Sequence, residues 1–166
     1  HKIIKLVKKI KNTQKCLIHF VQFSDLQKEI VKRFEEKYRV ILYKIFMVII
    51  SNKIIRSNTQ RAYKYLVMGN SWGQVASQTP KNIFVTDKFS ENPIYCPLLC
   101  TNKQNIIKKA TEIGTYSESI CGGIDCCVMF LPKFPILAAS EYYISKAIKE
   151  FSDFESFIKI EHFVVE

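Results

Sequence analysis

Strand-like and helix-like segments alternate along this 166-residue chain, and the alternation limits the folds open to it. The strand-like runs are residues 15–23, 63–68, 92–99 and 156–166, and the helix-like segments are 1–12, 24–37, about 38–56, 103–114 and 138–151. Strands that alternate with helices predict an α/β fold, in which a parallel sheet carries helices on both faces. Because no repeat or change of composition marks a boundary, we expect a single domain over residues 1–166.

Local signals predict where several helices begin and end. Ser24 with Gln27 three residues later matches a capping box. Asn102 is expected to cap the helix 103–114, and Gly114 is expected to close it. The residues before Pro80 are expected to form a glycine-containing turn and a short helix that this proline helps to end.

The composition predicts a globular protein with a strong positive charge. Hydrophobic residues make up 48% of the chain and charged residues 24%, and the formal net charge is +10 at pH 7. Such an excess favours anionic partners, with nucleic acid ahead of a membrane surface. A coding bias toward Lys, Ile and Asn would give the same excess without any partner. The apolar run 40–50 is interrupted by Lys44 and is too short to span a bilayer.

The segment 69-GNSWGQVASQT-79 is a candidate ligand site because it follows a strand and leads toward a helix. In open α/β sheets, ligands bind outside the carboxyl ends of the strands. Gly69 and Gly73 would let backbone amides approach a ligand closely. Gln74, Ser77 and Gln78 offer donors and acceptors suited to phosphate or to a base edge. A plain strand-to-helix turn would explain the same residues.

The segment 119-SICGGIDCCVMFLPKFP-135 has two interpretations. Its Gly-Gly-Ile-Asp resembles a pyrophosphate-binding loop, whereas its Asp-Cys-Cys precedes a Pro-Lys-x-Pro turn. A pyrophosphate loop leads into a helix, so that backbone amides and the helix dipole meet the phosphate. The residues after Asp125 predict a strand or a turn, which favours the second interpretation. A reactive thiol at Cys126 or Cys127 would need cationic help against Asp125, and Lys133 is near in sequence.

The six cysteines also permit less specific interpretations. No secretory signal is recognisable, which argues against a disulfide framework. Cys96 and Cys100, like Cys121 and the pair that follows it, lack the usual spacing of zinc ligands, so we expect no metal. Inert buried thiols are the ordinary alternative.

Three motifs, in order, resemble the tRNA 4-thiouridine synthetase (tRNA sulfurtransferase) family. They are GQVASQT at 73–79, CPLLCTNKQNIIKKATEIGTY at 96–116 and DCCVMFLPKFP at 125–135. Upstream, FSDLQKEI and KYRVILYKIFM are similar to two further segments of that family. The resemblance runs from about residue 1 to about residue 150.

The resemblance implies a Rossmann-like domain of the adenine nucleotide alpha-hydrolase type, truncated at its N-terminus in this chain. It implies that ATP, with Mg²⁺, adenylates the carbonyl oxygen of the uridine at position eight of tRNA. A persulfide sulfur then displaces AMP and gives 4-thiouridine. Also implied are a persulfide donor such as a cysteine desulfurase, a cytoplasmic location, sulfur supply to the thiamine thiazole, and a homodimer as the assembly to consider.

The resemblance also assigns site residues. Lys44, Gly69 and Gln78 match nucleotide-binding positions of the family. Lys44 stands where the family usually has the first of two arginines. A lysine keeps the positive charge but lacks the paired N–H donors with which a guanidinium binds phosphate. Cys127 matches the cysteine that takes part in sulfur transfer, and Cys126 is the weaker candidate.

Departures from the family pattern leave an alternative open. Cys96 and Cys100 replace the usual Arg and Gly, Asn70 replaces Glu, and Ile45 replaces the second Arg. The family's SGGxDS loop and its ferredoxin-like and THUMP regions are not among these residues, and we expect them upstream of His1. Without the amides of that loop, the isolated chain is expected to show little or no catalysis. The alternative is a non-catalytic, basic RNA-binding remnant of the family.

Overall fold

The structure is a computed structural model that describes residues 2–10, 15–58, 63–122 and 130–165. Its helices are α1 (Lys2–Ile10), α2 (Ser24–Arg33), α3 (Arg39–Ser57), α4 (Pro80–Asp87), α5 (Lys103–Glu112), α6 (Tyr116–Ile120) and α7 (Glu141–Glu150). Its strands are β1 (Cys16–Gln22), β2 (Leu66–Val67), β3 (Ile94–Tyr95) and β4 (Lys159–Val165). Three 3₁₀ helices cover Glu36–Tyr38, Ala76–Gln78 and Phe154–Phe157.

The strands form two separate two-stranded sheets. β1 runs antiparallel to β4, with His19 beside His162 at the centre of the pair. β2 runs parallel to β3, with Leu66 beside Ile94. The predicted α/β class is confirmed, but within the described residues the parallel pairing is limited to β2 and β3. The sheet is therefore smaller than the alternation of segments predicts.

The core is built around α3. Leu42, Ile45 and Phe46 of this helix are fully buried. α3 packs against α2 and α4, and the Phe46 ring meets that of Phe151, just after α7, with centroids 5.3 Å apart. Burial around most of its circumference explains why α3 is apolar nearly all round. No helix in the described ranges is both long enough and apolar enough to cross a membrane.

The predicted caps of α5 are confirmed. Asn102 Oδ1 accepts a hydrogen bond from the backbone N–H of Asn105 at 2.9 Å. Gly114 has a φ of 72°, the left-handed conformation that ends many helices and that glycine adopts without strain. Both signals lie within a few residues of the helix, so the local sequence is enough to predict them.

The capping box predicted at Ser24 is wrong. α2 already includes Ser24, Phe23 occupies the N-cap position, and no side chain caps the helix. The backbone N–H of Gln27 donates to the C=O of Phe23 at 3.0 Å, and the Gln27 side chain is buried. The helix starts one residue earlier than the box requires, so the serine is no longer outside the helix.

The role predicted for Pro80 is incomplete. The expected short helix is present as the 3₁₀ helix Ala76–Gln78, which ends two residues before Pro80, but Pro80 also begins α4, which was not predicted. Thr79 caps α4, because its Oγ1 accepts from the backbone N–H of Asn82 at 3.2 Å. A proline suits the first turn of a helix, where its missing N–H has no partner to lose.

Candidate functional site

The loops that follow β2 and β3 meet at the carboxyl ends of these parallel strands. The backbone N–H of Trp72 donates to the C=O of Leu99 at 3.0 Å, and Ser71 Oγ donates to the C=O of Thr101 at 3.0 Å. These bonds join the segment 69–79, which contains the first motif, to the second motif at 96–116. This edge of a parallel sheet is where α/β proteins bind ligands.

A cavity of about 790 Å³ opens between the two loops. It is lined by Ser71, Trp72, Gly73 and Gln74 from the first loop and by residues 99–103 from the second. Gly73 has a φ of 72°, so a side chain at this position would strain the loop. α5 begins at the cavity with Lys103, and a helix N-terminus with a lysine favours an anionic group.

Gln78 holds the first loop in shape. Its Oε1 accepts from the backbone N–H of Ser71 at 3.2 Å, and its backbone C=O accepts from the N–H of Gly73 at 3.3 Å. Gln74 Nε2 adds a hydrogen bond to Ser71 Oγ at 3.2 Å. The predicted ligand residue Gln78 thus positions two residues of the cavity wall.

Gly69 and Lys44 are the other predicted nucleotide-binding residues. Gly69 opens the loop, and a Cβ built on it would meet no atom within 4 Å. Lys44 is half-buried on α3, which packs against α4 and against the 3₁₀ turn that contains Gln78. Partial desolvation raises the pKa of Asp87 at the end of α4, and the charge of Lys44 opposes that shift. Nucleotide contacts at Lys44, Gly69 and Gln78 stay predictions.

Cys126 and Cys127, the predicted sulfur-transfer residues, lie outside the described residues, and their role stays a prediction. The chain is described on both sides of this corner. On the upstream side, Cys121 is an exposed free thiol, and its C=O accepts from Lys2 Nζ of α1 at 3.1 Å.

On the downstream side, residues 136–139 are hydrogen-bonded to Thr79, the last residue of the first motif, and to Asn82. Thr79 Oγ1 donates to the C=O of Leu137 at 2.6 Å. Asn82 Nδ2 donates to the C=O of Ile136 at 2.9 Å, and Asn82 Oδ1 accepts from the N–H of Ala139 at 2.9 Å. Because Thr79 follows Gln78 directly, the chain that leaves the cysteine corner is held next to the loop of the cavity.

Sequence patterns did not single out Asn82. This side chain is fully buried and also donates to the C=O of Ala76 at 2.7 Å, so one amide links the first loop to residues 136–139. The available signal was Thr79 followed by Pro80, a helix start that predicts α4. That signal says nothing about the partners of the Asn82 amide, because two of them are more than fifty residues away.

Two cysteines that depart from the family pattern border the same loops. Asn70 Nδ2 lies 3.4 Å from the Sγ of the half-buried Cys96, and Cys100 is exposed and lines the cavity. The four cysteines of the described ranges are free thiols. In that part of the chain, no three His, Cys, Asp or Glu side chains form a group that could hold a metal ion.

Comparison with known proteins gives one family. The family model for thiamine biosynthesis protein (ThiI) matches residues 1–154. The probable tRNA sulfurtransferase of Thermus thermophilus is 38% identical over 122 residues, which are 74% of this chain and 29% of that protein. The probable tRNA sulfurtransferase of Caldanaerobacter subterraneus is 37% identical over 143 residues, which are 85% of this chain and 36% of that protein.

A solved structure agrees with the family. The crystal structure of a 4-thiouridine synthetase–RNA complex with bound ATP matches 99% of this chain with a TM-score of 0.82 and 31% identity. The match covers 43% of that structure's chain, and this chain spans about a third of the length of the curated relatives above. The chain therefore belongs to the ThiI family of tRNA sulfurtransferases.

Proposed function

We propose that this chain is part of an ATP-dependent tRNA sulfurtransferase that forms 4-thiouridine at position eight of tRNA. Two observations carry the proposal. Loops of the first two motifs line one open cavity, and residues 136–139, just after the third motif, are hydrogen-bonded to Thr79 and Asn82 at the end of the first loop. Sulfur transfer to an activated base needs a nucleotide site and a thiol held close together. The RNA and ATP in the solved relative support the same ligands for this chain.

The cavity suits ATP in size and in chemistry. Its volume of about 790 Å³ lies in the range of small-molecule sites. The start of α5 and Lys103 would attract the anionic nucleotide, while the amides of the family's SGGxDS loop, which is not among these residues, would hold the triphosphate. Gln78 would hold the loop, Gly69 would leave room for close approach, and Lys44 would add charge from α3. Mg²⁺ would enter bound to the phosphates.

In the proposed reaction, ATP adenylates the C4 carbonyl oxygen of the uridine and releases pyrophosphate. The outer sulfur of a persulfide then forms the C–S bond while the bond from C4 to the adenylated oxygen breaks, and AMP leaves with that oxygen. A second thiol attacks the inner sulfur of the persulfide, the S–S bond to the transferred sulfur breaks, and 4-thiouridine is released. The disulfide left behind is reduced by an external thiol before the next cycle. Cys127 takes part in this transfer, with Cys126 as the weaker candidate, and a protein such as a cysteine desulfurase supplies the persulfide. The family description supports a second use of the sulfur, in the thiazole of thiamine.

Serine variants test the proposal in a complete enzyme. A chimera would carry these residues in place of the matched part of the Thermus thermophilus relative. In cells that lack 4-thiouridine, we expect the chimera to restore it to tRNA and Cys127→Ser to abolish it while ATP binding is kept. Cys121→Ser is the matched control and should keep thiolation, because Cys121 is an exposed thiol ahead of the corner.

Two results would contradict parts of the proposal. If Cys127→Ser kept full thiolation of tRNA and Cys126→Ser lost it, the sulfur-transfer role would belong to Cys126 and not to Cys127. A soluble chimera that binds ATP and tRNA but never forms 4-thiouridine would contradict the proposed activity.

A second candidate function is a non-catalytic, basic RNA-binding remnant of the family. The net charge of +10 favours it, as do Cys96 and Cys100 at motif positions where the family has Arg and Gly. Binding of tRNA that is independent of ATP, without any thiolation by the chimera, would favour this candidate over the first.

A further inference from the structure

Helices α1, α5 and α6 together form a basic surface. α6 packs against both α1 and α5, although α1 lies far from the other two helices in sequence. The three helices carry seven lysines and two glutamates, namely Lys2, Lys5, Lys8, Lys9, Lys103, Lys108 and Lys109 with Glu112 and Glu118. Most of the positive charge on this surface is therefore not balanced by carboxylates of the same helices.

The excess of lysine is local and is not shared by the other exposed helices. On α2, Lys28 is paired with Asp25 at 2.8 Å, and Lys32 is paired with Glu29 at 2.6 Å. α7 carries two lysines and two glutamates. A coding bias toward lysine would act on all helices alike, so it does not explain why α1 and α5 are unbalanced while α2 and α7 are not.

Two lysines of α1 hold this helix in the basic surface. Lys9 Nζ donates to the C=O of Gly114 at 3.0 Å and lies 3.3 Å from a carboxylate oxygen of Glu118. Lys2 Nζ donates to the C=O of Cys121 at 3.1 Å. Because Lys2 and Lys9 lie at opposite ends of α1, these bonds fix the helix along the segment 114–121.

Other lysines of the basic surface are exposed and have no carboxylate partner among the described residues: Lys5, Lys8, Lys103 and Lys108. Lys5 has Lys8 and Lys9 three and four residues further along α1. Like charges at this spacing are neighbours on a helix and destabilise it. An anionic partner that lies along the helix would remove this repulsion, so the surface is suited to a polyanion.

We propose that the basic surface binds the phosphate backbone of tRNA beside the cavity. Lysines bind phosphates as point charges, and such contacts position a nucleic acid without reading its sequence. α5 begins at the cavity with Lys103 and continues to Lys108, so an RNA held along α5 reaches the rim of the cavity. The identity of the RNA rests on the proposed function, whereas its binding here requires neither ATP nor sulfur transfer.

The exposed side chains of α5 favour RNA over an anionic membrane. Apart from Ile107, they are polar, and they include Lys103, Gln104, Asn105 and Lys108. Polar and cationic side chains suit a hydrated phosphate backbone. A helix that binds a membrane surface instead needs a broad apolar face that enters the lipid.

The salt dependence of tRNA binding tests the inference. The 166-residue chain would be titrated with unmodified tRNA, without ATP, at about 50 to about 200 mM salt. Each lost phosphate contact should lower the slope of log K against log salt concentration by about 0.7–0.9. For the double variant Lys5→Gln with Lys8→Gln, we expect the slope to fall by about 1.5 and the affinity to fall about fivefold or more. We expect the same of Lys108→Gln with Lys109→Gln, which tests α5 independently of α1.

The double variant Lys28→Gln with Lys32→Gln is the matched control. It removes the same net charge from α2, where both lysines are paired with carboxylates. We expect its affinity for tRNA to stay within about twofold of the parent. Circular dichroism checks that each variant is folded, and no fold should be lost, because the substituted lysines are exposed.

Three outcomes would overturn the inference. The first is a folded chain that does not bind tRNA at about 50 mM salt, where phosphate contacts are strong. The second is an equal loss of affinity in the control and in the two test variants, because net charge alone would then explain binding. The third is binding to vesicles of anionic phospholipid but not to tRNA. A chain that binds tRNA through these lysines while the chimera forms no 4-thiouridine would instead contradict only the proposed activity.

Discussion

The Asn82 side chain makes three hydrogen bonds that hold the loops of the candidate site together. Its amide donates to Ala76 and Ile136 and accepts from Ala139, and no part of the side chain reaches solvent. One buried residue thus ties the first loop to the chain that leaves the cysteine corner. A buried amide with several partners is costly to remove, because each partner is left without a hydrogen bond.

Replacing this amide should destabilise the protein strongly. For Asn82→Ala we expect a loss of about 2–4 kcal/mol in the free energy of unfolding, because two carbonyls and one N–H lose their partner. Urea denaturation followed by circular dichroism measures the change. Asn105→Ala on exposed α5 is the control, and it should shift stability by no more than about 0.5 kcal/mol. If both substitutions changed the free energy of unfolding equally, the hydrogen bonds of Asn82 would not be what stabilises this part of the protein.

At the residue scale, the sequence was enough to predict which segments border the candidate site, but not which hydrogen bonds their side chains make. The motif 73–79 includes Gly73 and Gln74 of the cavity wall, but the described bonds of Gln78 go to Ser71 and Gly73, so a ligand contact at Gln78 stays a prediction. The role of Asn82 was not predicted, because its partners Ile136 and Ala139 lie more than fifty residues further along the chain. No local pattern encodes a partner at that separation.

Among the elements, α4 determines how the loops of the site are held. It begins at Pro80 directly after the 3₁₀ turn with Gln78, and Thr79 caps it. The Thr79 hydroxyl has two functions, since it accepts from the N–H of Asn82 and donates to the C=O of Leu137. The cap of one helix therefore also anchors the chain at Leu137.

Removal of this cap gives a second prediction. Thr79→Ala should lower the free energy of unfolding by about 1–2 kcal/mol, the usual cost of losing a side-chain cap. Thr79→Ser keeps the hydroxyl and should stay within about 0.5 kcal/mol of the parent. Thermal unfolding of the three proteins provides the comparison. If serine were as damaging as alanine, the methyl group and not the hydroxyl would be the important part of the side chain.

Elements with a complete local signal were predicted correctly. α3 and α7 match the helix-like segments 38–56 and 138–151, and α5 follows from Asn102 and Gly114. α4 was missed because Pro80 was taken as a terminator, although a proline equally suits a first turn. The extent of the sheets could not be predicted, because a strand-like pattern does not identify the strand that will pair with it.

Across the whole molecule, Arg33 joins the early part of the chain to its end. Its guanidinium donates to both carboxylate oxygens of Asp153, at 2.9 and 3.2 Å. It also lies 4.4 Å from the centre of the Phe151 ring, and Phe151 is fully buried in the core. The planar guanidinium suits both contacts at once, which a lysine could not reproduce.

This ion pair predicts a pH dependence of stability. Hydrogen bonding from Arg33 holds the pKa of Asp153 below its ordinary value of 3.8. A carboxyl whose pKa is lower in the folded state stabilises the fold above its ordinary pKa and loses that effect as the pH falls through the lowered one. Asp153→Asn should therefore be less stable than the parent at pH 7, and the difference should vanish at a pH well below 3.8.

Asp87→Asn is the matched comparison and has the opposite sign. Desolvation raises the pKa of Asp87 above 3.8, so its charged form costs stability once the pH exceeds the raised value. Asp87→Asn should be more stable than the parent at pH 7, and this gain should shrink as the pH falls through the interval just above 3.8. Urea midpoints across this pH range measure both variants. Parallel pH profiles for the two would contradict the assignment.

Trp72 gives the molecule a reporter at the site itself. It is the single tryptophan of the chain, it is 52% exposed, and it lines the cavity between the first two motifs. All tryptophan fluorescence of this chain therefore originates at the cavity wall, where emission depends on how much water reaches the indole. A ligand that enters the cavity displaces that water, so the intrinsic emission spectrum responds to occupancy without any added label.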